Sequence, residues 1–222
     1  MSLDFKKFSG IGMTSDSSRA KLVSILEKQG IKNKKVLSAI NTIPRHIFVD
    51  EAISSKAYDN TALPIGNSQT ISHPLIVAKM TEILMHRNPK RILEIGTGSG
   101  YQAAILSLLV DKVYSVERIE ILHKKANSIF RKIGFKNIYT KFSDGNQGWP
   151  QKSPFDAIII TAGALEIPSS LMDQLSSKNG ILVSPVEKNG KQYLKSIEKN
   201  DTKIIEKVHG VVNFVPLLQG TD

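Results

Sequence analysis

The residues of this 222-residue chain that could do chemistry gather between positions 65 and 145. Gly96–Thr97–Gly98–Ser99–Gly100 follows directly on the apolar run Arg91–Ile92–Leu93–Glu94–Ile95 and opens a helical pattern. Glycines at Gly96, Gly98 and Gly100 let the backbone turn tightly and approach a ligand closely. The spacing is G-x-G-x-G rather than the G-x-G-x-x-G of a dinucleotide site, and Glu94 stands two residues before the first glycine. A carboxylate there repels a pyrophosphate and favours a cationic group. Glu117 follows Gly96 by 21 residues, at the end of the next strand pattern, where an acidic side chain accepts hydrogen bonds from ribose hydroxyls. Asp144–Gly145 ends the third strand region, placed to hold an adenine amino group. These parts suit a nucleoside with a cationic amino-acid tail and no phosphates, a description that S-adenosylmethionine meets. For the glycine loop taken alone, a structural tight turn is the simpler reading.

These residues need a scaffold. Helical patterns over Ser18–Gly30 (Leu22, Ile25, Leu26) and around Val36, Leu37 and Ile40 predict an N-terminal helical layer, with Gly30 closing the first helix. Asp59 to Ser72 has no consistent period and reads as a long loop, a length that is usually functional when ordered. Pro74 then suits the first position of a helix carrying Ile76, Met80, Ile83 and Leu84 on one face, which puts Ser72 at or beside its N-cap. From Arg91 strand-like runs alternate with helical patterns, predicting an α/β fold: a doubly wound parallel sheet with helices on both faces. The last two runs, QYLKSIEK and KIIEKVHGVVNF, lack a helix between them and predict an antiparallel C-terminal edge. The helix from about Ile119 to Gly134 is expected to bury Leu122, Ala126, Ile129 and Ile133.

Composition bounds the function. With no cysteine, thiolate metal sites, disulfides and a cysteine nucleophile are excluded. The five histidines show no metal-ligand spacing, so no metal is expected, and Ser72 lacks the G-x-S-x-G elbow of a hydrolase nucleophile. No apolar run approaches 18 residues and Met1–Ser9 has no apolar core, so neither a membrane partner nor a secretory signal is expected; a cytoplasmic protein is. The net charge of +10 invites a nucleic-acid reading. Its excess, however, is spread as +4, +2, +4 and 0 over residues 1–60, 61–115, 116–160 and 161–222, with no basic run longer than two residues and no interleaved aromatics. A basic surface that attracts anionic substrates is the expectation, without a nucleic-acid partner.

The segments PRHIFVDEA, AYDNTALPIGNSQTIS, PLIVAKMTEIL, RILEIGTGSGYQAAILS, VYSVERI, SDGNQGWPQKSPFDAIIITAGA, IPSSLMDQL and VNFVPL run from about Pro44 to Leu217. Together they resemble the protein-L-isoaspartate (D-aspartate) O-methyltransferases. LEIGTGSGYQ alone indicates only a class I methyltransferase, whereas the PIGxxQTIS and DG…GWP…PFDAI segments are specific to this family. The resemblance implies a Rossmann-like class I fold, S-adenosyl-L-methionine as methyl donor, and L-isoaspartyl residues of damaged proteins as substrate. It implies Ser72 as the active-site serine, with Ile65, Gln69, Thr70, Ile71 and His73 toward substrate. Glu94, Gly96, Thr97, Gly98, Gly100, Glu117, Asp144 and Gly145 are then expected on the cofactor. Ser68, Ser143 and Gly163 depart from the commoner Gly, Gly and Ala, and Ser68 puts the loop conformation in question because serine tolerates positive φ poorly. The expected reaction needs no general base, because the carboxylate is already ionised, and Ser72 would orient it beside the helix N-terminus. The alternative for Ser72 is a plain helix cap. A monomer is expected, with residues 1–60 as leader and helical layer and 61–222 as the methyltransferase domain. Competing readings are a methyltransferase for RNA or a small molecule, and a binding module that keeps the fold without turnover.

Overall fold

A computed structural model describes residues 5, 8, 10–201 and 203–222. The proposed absence of a secretory signal in Met1–Ser9 falls mostly outside them. The first helix, α1 (Asp16–Lys28), ends at Gly30 (φ +100°), whose N–H bonds Glu27 O while Ile31 N–H bonds Leu26 O. This is the double closure that a glycine beyond the C-cap allows. Helix α2 (Lys34–Thr42) is capped by the Asn33 side chain, which accepts from Lys35 N and Val36 N. Leu22, Leu26, Val36, Leu37 and Ile40 are buried in the same core cluster as Val77 and Leu84 of α3 (Pro74–Met85) and Ala103–Leu106 of α4 (Tyr101–Ser107).

Asp59–Ser72 is not a structureless loop. Within it, β1 (Leu63–Gly66) pairs antiparallel with β2 (Gln69–Ile71) through a turn at Asn67 (φ +51°) and Ser68 (φ +55°). Two left-handed residues in sequence match the twist of a tight hairpin, and Ser68 does occupy the conformation that suits glycine better. Leu63, Ile65 and Ile71 bury one face of this ribbon.

The main sheet has seven strands in the order β5-β4-β3-β6-β7-β8-β9. Strands β3 (Arg91–Ile95), β4 (Lys112–Glu117), β5 (Ile138–Phe142), β6 (Ala157–Ile160) and β7 (Gly180–Lys188) are parallel to one another. β8 (Lys191–Asn200) and β9 (Lys203–Val212) complete an antiparallel edge, as expected. The chain runs outward from β3 to β5, then returns to place β6 on the other side of β3. The carboxyl ends of β3 and β6 thus flank the topological switch point, where ligands bind in open α/β sheets. Apolar residues fill both sheet faces: Leu93, Ile95, Tyr114, Val116, Ile158 and Ile160 on one, and Ile92, Val113, Ala157 and Ile159 on the other.

Helix α5 (Glu120–Ile133) buries Leu122, Ala126, Phe130 and Ile133. Phe130 takes a place that the sequence pattern assigned to Ile129, because its ring packs onto Gly100: a Cβ there would lie 2.7 Å from Phe130 Cζ. Helix α6 (Ser169–Gln174) packs beside Trp149, which stands edge-on to Tyr114, 5.6 Å between centroids.

Candidate active site

A cleft of about 830 Å³, counted out to its open mouth, lies over the switch point. Its floor is the glycine loop after β3, its sides are the ends of β4 and β6, and β2 with the start of α3 closes over it. Gly96 (φ +94°) accepts no side chain, because a Cβ would fall 2.4 Å from Thr161 Oγ1, which donates to Ile95 O at 2.9 Å or to Gly96 O at 2.7 Å. Gly98 (φ +52°) approaches the hairpin, its absent Cβ 3.5 Å from Ile65 Cδ1. Gly145 is held against Ile95, where a Cβ would sit 2.5 Å from Ile95 Cγ2. Bare backbone therefore forms much of the floor.

Glu117, almost fully buried at the end of β4, accepts from Gly98 N–H at 2.7 Å and from Ile119 N–H at 2.9 Å. Each carboxylate oxygen keeps a lone pair, so Glu117 can take hydroxyl donors from the cleft as well. Ile95, Val116, Ile119, Leu122, Leu217 and Leu218 supply apolar walls around it. Size, bare backbone, apolar walls and one acidic acceptor fit a nucleoside, and S-adenosylmethionine fits this cradle.

Of the residues singled out from the sequence, the cleft brings together Gln69, Thr70, Ile71, Ser72, Gly96, Thr97, Gly98, Glu117 and Gly145. Ser72 is half-buried, and its hydroxyl makes no hydrogen bond among the described residues. The helix-cap alternative finds no support: α3 has His73 at its N-cap and no side-chain cap bond. Nor is the first turn of α3 an open anion site. Pro74 has no N–H, Leu75 N donates to Asn60 Oδ1 at 3.1 Å, and Ile76 and Val77 N–H groups bond His73 O.

Five expected residues stand outside the lining. Glu94 is fully buried, on the same sheet face as Ile92, and does not reach the lining. One of its carboxyl oxygens accepts from Ser115, which also bonds Thr97 Oγ1 at 2.6 Å, and the other has no partner. Burial pushes its pKa up to about 8 where no cation stands beside it. Gly100 turns toward Phe130 and Ala126, so its smallness serves packing. Asp144 accepts from Asn146 N at 2.8 Å and from Gly220 N at 2.9 Å, ordering the segment around Gly145. These hydrogen bonds outweigh partial desolvation and hold its carboxyl below the usual range. Ile65 is buried beside Gly98. His73 has a buried, unpartnered Nδ1, and desolvation with the nearby Arg45 charge lowers its pKa.

Sequence reasoning missed Tyr101, Gln102, Thr161 and Ala162 in the lining. Val215–Leu218, which overlaps the VNFVPL segment, forms one wall. Gly163 holds that wall by strand-like pairing, its N–H on Val215 O (2.7 Å) and its carbonyl accepting from Leu217 N (2.8 Å). The Gln192 side chain grips the neighbouring Phe214 from both sides, donating to its carbonyl (3.1 Å) and accepting from its N–H (2.7 Å). A Cβ on residue 163 would lie 2.3 Å from Gln192 Nε2, which accounts for glycine where alanine is commoner.

A doubly wound sheet with a glycine-loop cleft at its switch point, an acidic residue on the second strand and an antiparallel C-terminal edge is the class I methyltransferase architecture. The model of the protein-L-isoaspartate(D-aspartate) O-methyltransferase family matches residues 17–222. The chain belongs to that family. A protein-L-isoaspartate O-methyltransferase of Hahella chejuensis is 51% identical over 209 residues, which are 94% of this chain and 99% of that protein. A solved protein-L-isoaspartate O-methyltransferase superposes with TM-score 0.82 at 28% identity, covering 89% of this chain and 65% of that one. A Plasmodium falciparum chain solved in complex with S-adenosyl-L-homocysteine shares the fold, with TM-score 0.81, 24% identity, and 90% and 98% coverage.

Proposed function

We propose that this chain transfers the methyl group of S-adenosylmethionine to the free carboxylate of L-isoaspartyl residues in damaged proteins and peptides, giving the methyl ester and S-adenosylhomocysteine. The observation that carries the reading is the Ser72 hydroxyl, without a hydrogen-bond partner among the described residues, on the same cleft as the glycine loop and Glu117. When bound, S-adenosylmethionine supplies an electrophilic methyl group on a sulfonium. Glu117 with the backbone of Gly96, Thr97, Gly98 and Gly145 would hold the nucleoside, and Val215–Leu218 would exclude water from one side. Ser72 orients the substrate carboxylate by a hydrogen bond, while Gln69–Ile71 of β2 places the substrate chain. The carboxylate, with an ordinary pKa near 3.5, arrives ionised, so the site's task is alignment and desolvation rather than proton removal. Ile65, Glu94, Gly100 and Asp144 support the walls in this reading, and His73 borders the substrate end.

The evenly spread excess of positive charge supports acidic protein substrates over nucleic acid. No helix among the described residues is long and apolar enough to cross a membrane. We read the chain as a cytoplasmic monomer, with residues 1–60 covering the methyltransferase unit 61–222. Incubation with labelled methyl donor and paired peptides tests the function. Base-labile label only on the L-isoaspartyl peptide is expected; equal labelling of the normal aspartyl peptide, or none on either, refutes it. Methyl transfer to RNA instead would favour the competing reading.

A further inference from the structure

Arg45 carries a charge that the chemistry above does not use. It is 0% exposed, and among the described residues no carboxylate lies within 4 Å of it. Its guanidinium donates to three main-chain carbonyls: Ala57 O (2.9 Å), Ser72 O (2.9 Å) and, at 3.4 Å, Thr61 O. Its Cζ lies 4.8 Å from the centre of the Tyr101 ring, and Nη1 is buried without a partner. An isolated buried charge is among the costliest groups a fold can hold, and neutral carbonyls repay it incompletely. Ser72 and Tyr101, which it touches, both line the cleft. The positive charge is thus sealed behind the wall where Ser72 presents its hydroxyl. The N–H groups in the first turn of α3 are already used, the cleft's Arg118 is tied to Gly220 O (3.0 Å) beside Glu117, and the buried Arg19 is paired with Asp16, which leaves Arg45 as the unpaired guanidinium against Ser72 among the described residues.

We propose that Arg45 is a positioning residue for the substrate anion: it fixes the main chain of Ser72 and supplies the counter-charge that favours a carboxylate at the Ser72 hydroxyl. The inference rests on the functional reading above and deepens it. The lowered pKa of His73, caused in part by Arg45, shows the same field reaching the cleft margin. The field favours bound carboxylate over its neutral analogue, and it relaxes as methyl transfer neutralises the anion. Arg45 therefore acts mainly on substrate affinity and less on turnover. At an effective dielectric near 20, a unit charge several ångströms from a carboxylate changes its affinity by roughly tenfold or more.

The test uses the full chain with Arg45→Gln and Arg45→Lys. Dissociation constants are measured for an L-isoaspartyl peptide, for the same peptide with that carboxylate as carboxamide, and for S-adenosylhomocysteine. In Arg45→Gln, carboxylate-peptide affinity should fall about tenfold or more while the carboxamide peptide and the nucleoside change less than about twofold. Arg45→Lys should restore most of the preference for carboxylate. Parallel loss for both peptides, or a lysine variant that discriminates no better than glutamine, overturns the proposal. If Arg45→Gln does not fold, Arg45→Lys decides: preference retained supports the counter-charge, and preference lost in a folded protein overturns it. A wild-type chain that methylates no isoaspartyl peptide removes the functional reading and this proposal together, whereas wild-type activity with parallel losses removes this proposal alone.

Discussion

Ser72 and Glu94 show how differently two residues beside the same loop read in sequence and in space. Replacing Ser72 by alanine removes a hydroxyl that makes no hydrogen bond among the described residues, so stability should change little. A hydrogen bond to a charged group contributes about 1.5–3 kcal/mol. Ser72→Ala should accordingly lower kcat/KM for an isoaspartyl peptide by roughly ten- to a hundredfold, with nucleoside affinity unchanged in isothermal titration. Glu94 makes its prediction through pH. Its pKa is raised to about 8 by burial, against 4.5 when solvated, so between those values the unfolded chain has released a proton that the folded chain keeps. Stability must then fall as pH rises across that window, by up to about 1.4 kcal/mol per unit near its middle. Glu94→Gln should flatten the dependence: urea titrations at pH 6 and pH 8 should differ less than in wild type, and an equal pH slope would show that Glu94 is ionised in the fold. The motif spacing located Gly96, Gly98 and Glu117 because turn geometry and strand ends leave marks in sequence. Glu94 lies outside the cleft lining, and its place was not legible because all of β3 beyond Arg91 is buried, so the pattern does not say which face meets a ligand. Arg45 gave no signal because a lone arginine in sequence reads as surface.

At the scale of elements, the alternation of strands and helices was legible from Arg91 onward because the parallel strands are short and rich in β-branched and aromatic residues, while the segments between them carry a helical period. The β1–β2 hairpin was not, because its strands have four and three residues and its turn, Asn67–Ser68, lacks the usual glycine. The C-terminal wall was half legible. Its apolar residues announce burial, but the grip of Gln192 on Phe214 joins residues 22 positions apart and has no local period. Losing these two partly buried hydrogen bonds in Gln192→Ala should cost about 1–3 kcal/mol. Gly163→Ala should also destabilise, because the new methyl group displaces the Gln192 amide. In a double-mutant cycle by chemical denaturation the double variant should be less destabilised than the sum of the singles, since one cause is shared. Strict additivity would separate the two residues.

Over the whole molecule, the +10 charge acts at a distance where Arg45 acts at contact. Fields from exposed lysines are screened within about 8–10 Å at physiological salt, while a buried guanidinium is screened much less. Between 20 and 300 mM salt, KM for an acidic isoaspartyl peptide should rise several-fold, with a clearly smaller effect on a peptide of no net charge; equal effects would take the surface charge out of substrate capture. The sheet order also has a temporal consequence. Among the described residues β1 and β2 pair only with each other, so the ribbon carrying Gln69–Ile71 is not stitched to the seven-stranded sheet beneath it. It roofs the floor built by Gly96–Ser99, touching it at Ile65 and Gly98. If the substrate chain lies along this roof, as proposed above, it blocks the way to the floor. The nucleoside must therefore enter first and leave last, and the demethylated product should compete with the methyl donor but not with the peptide.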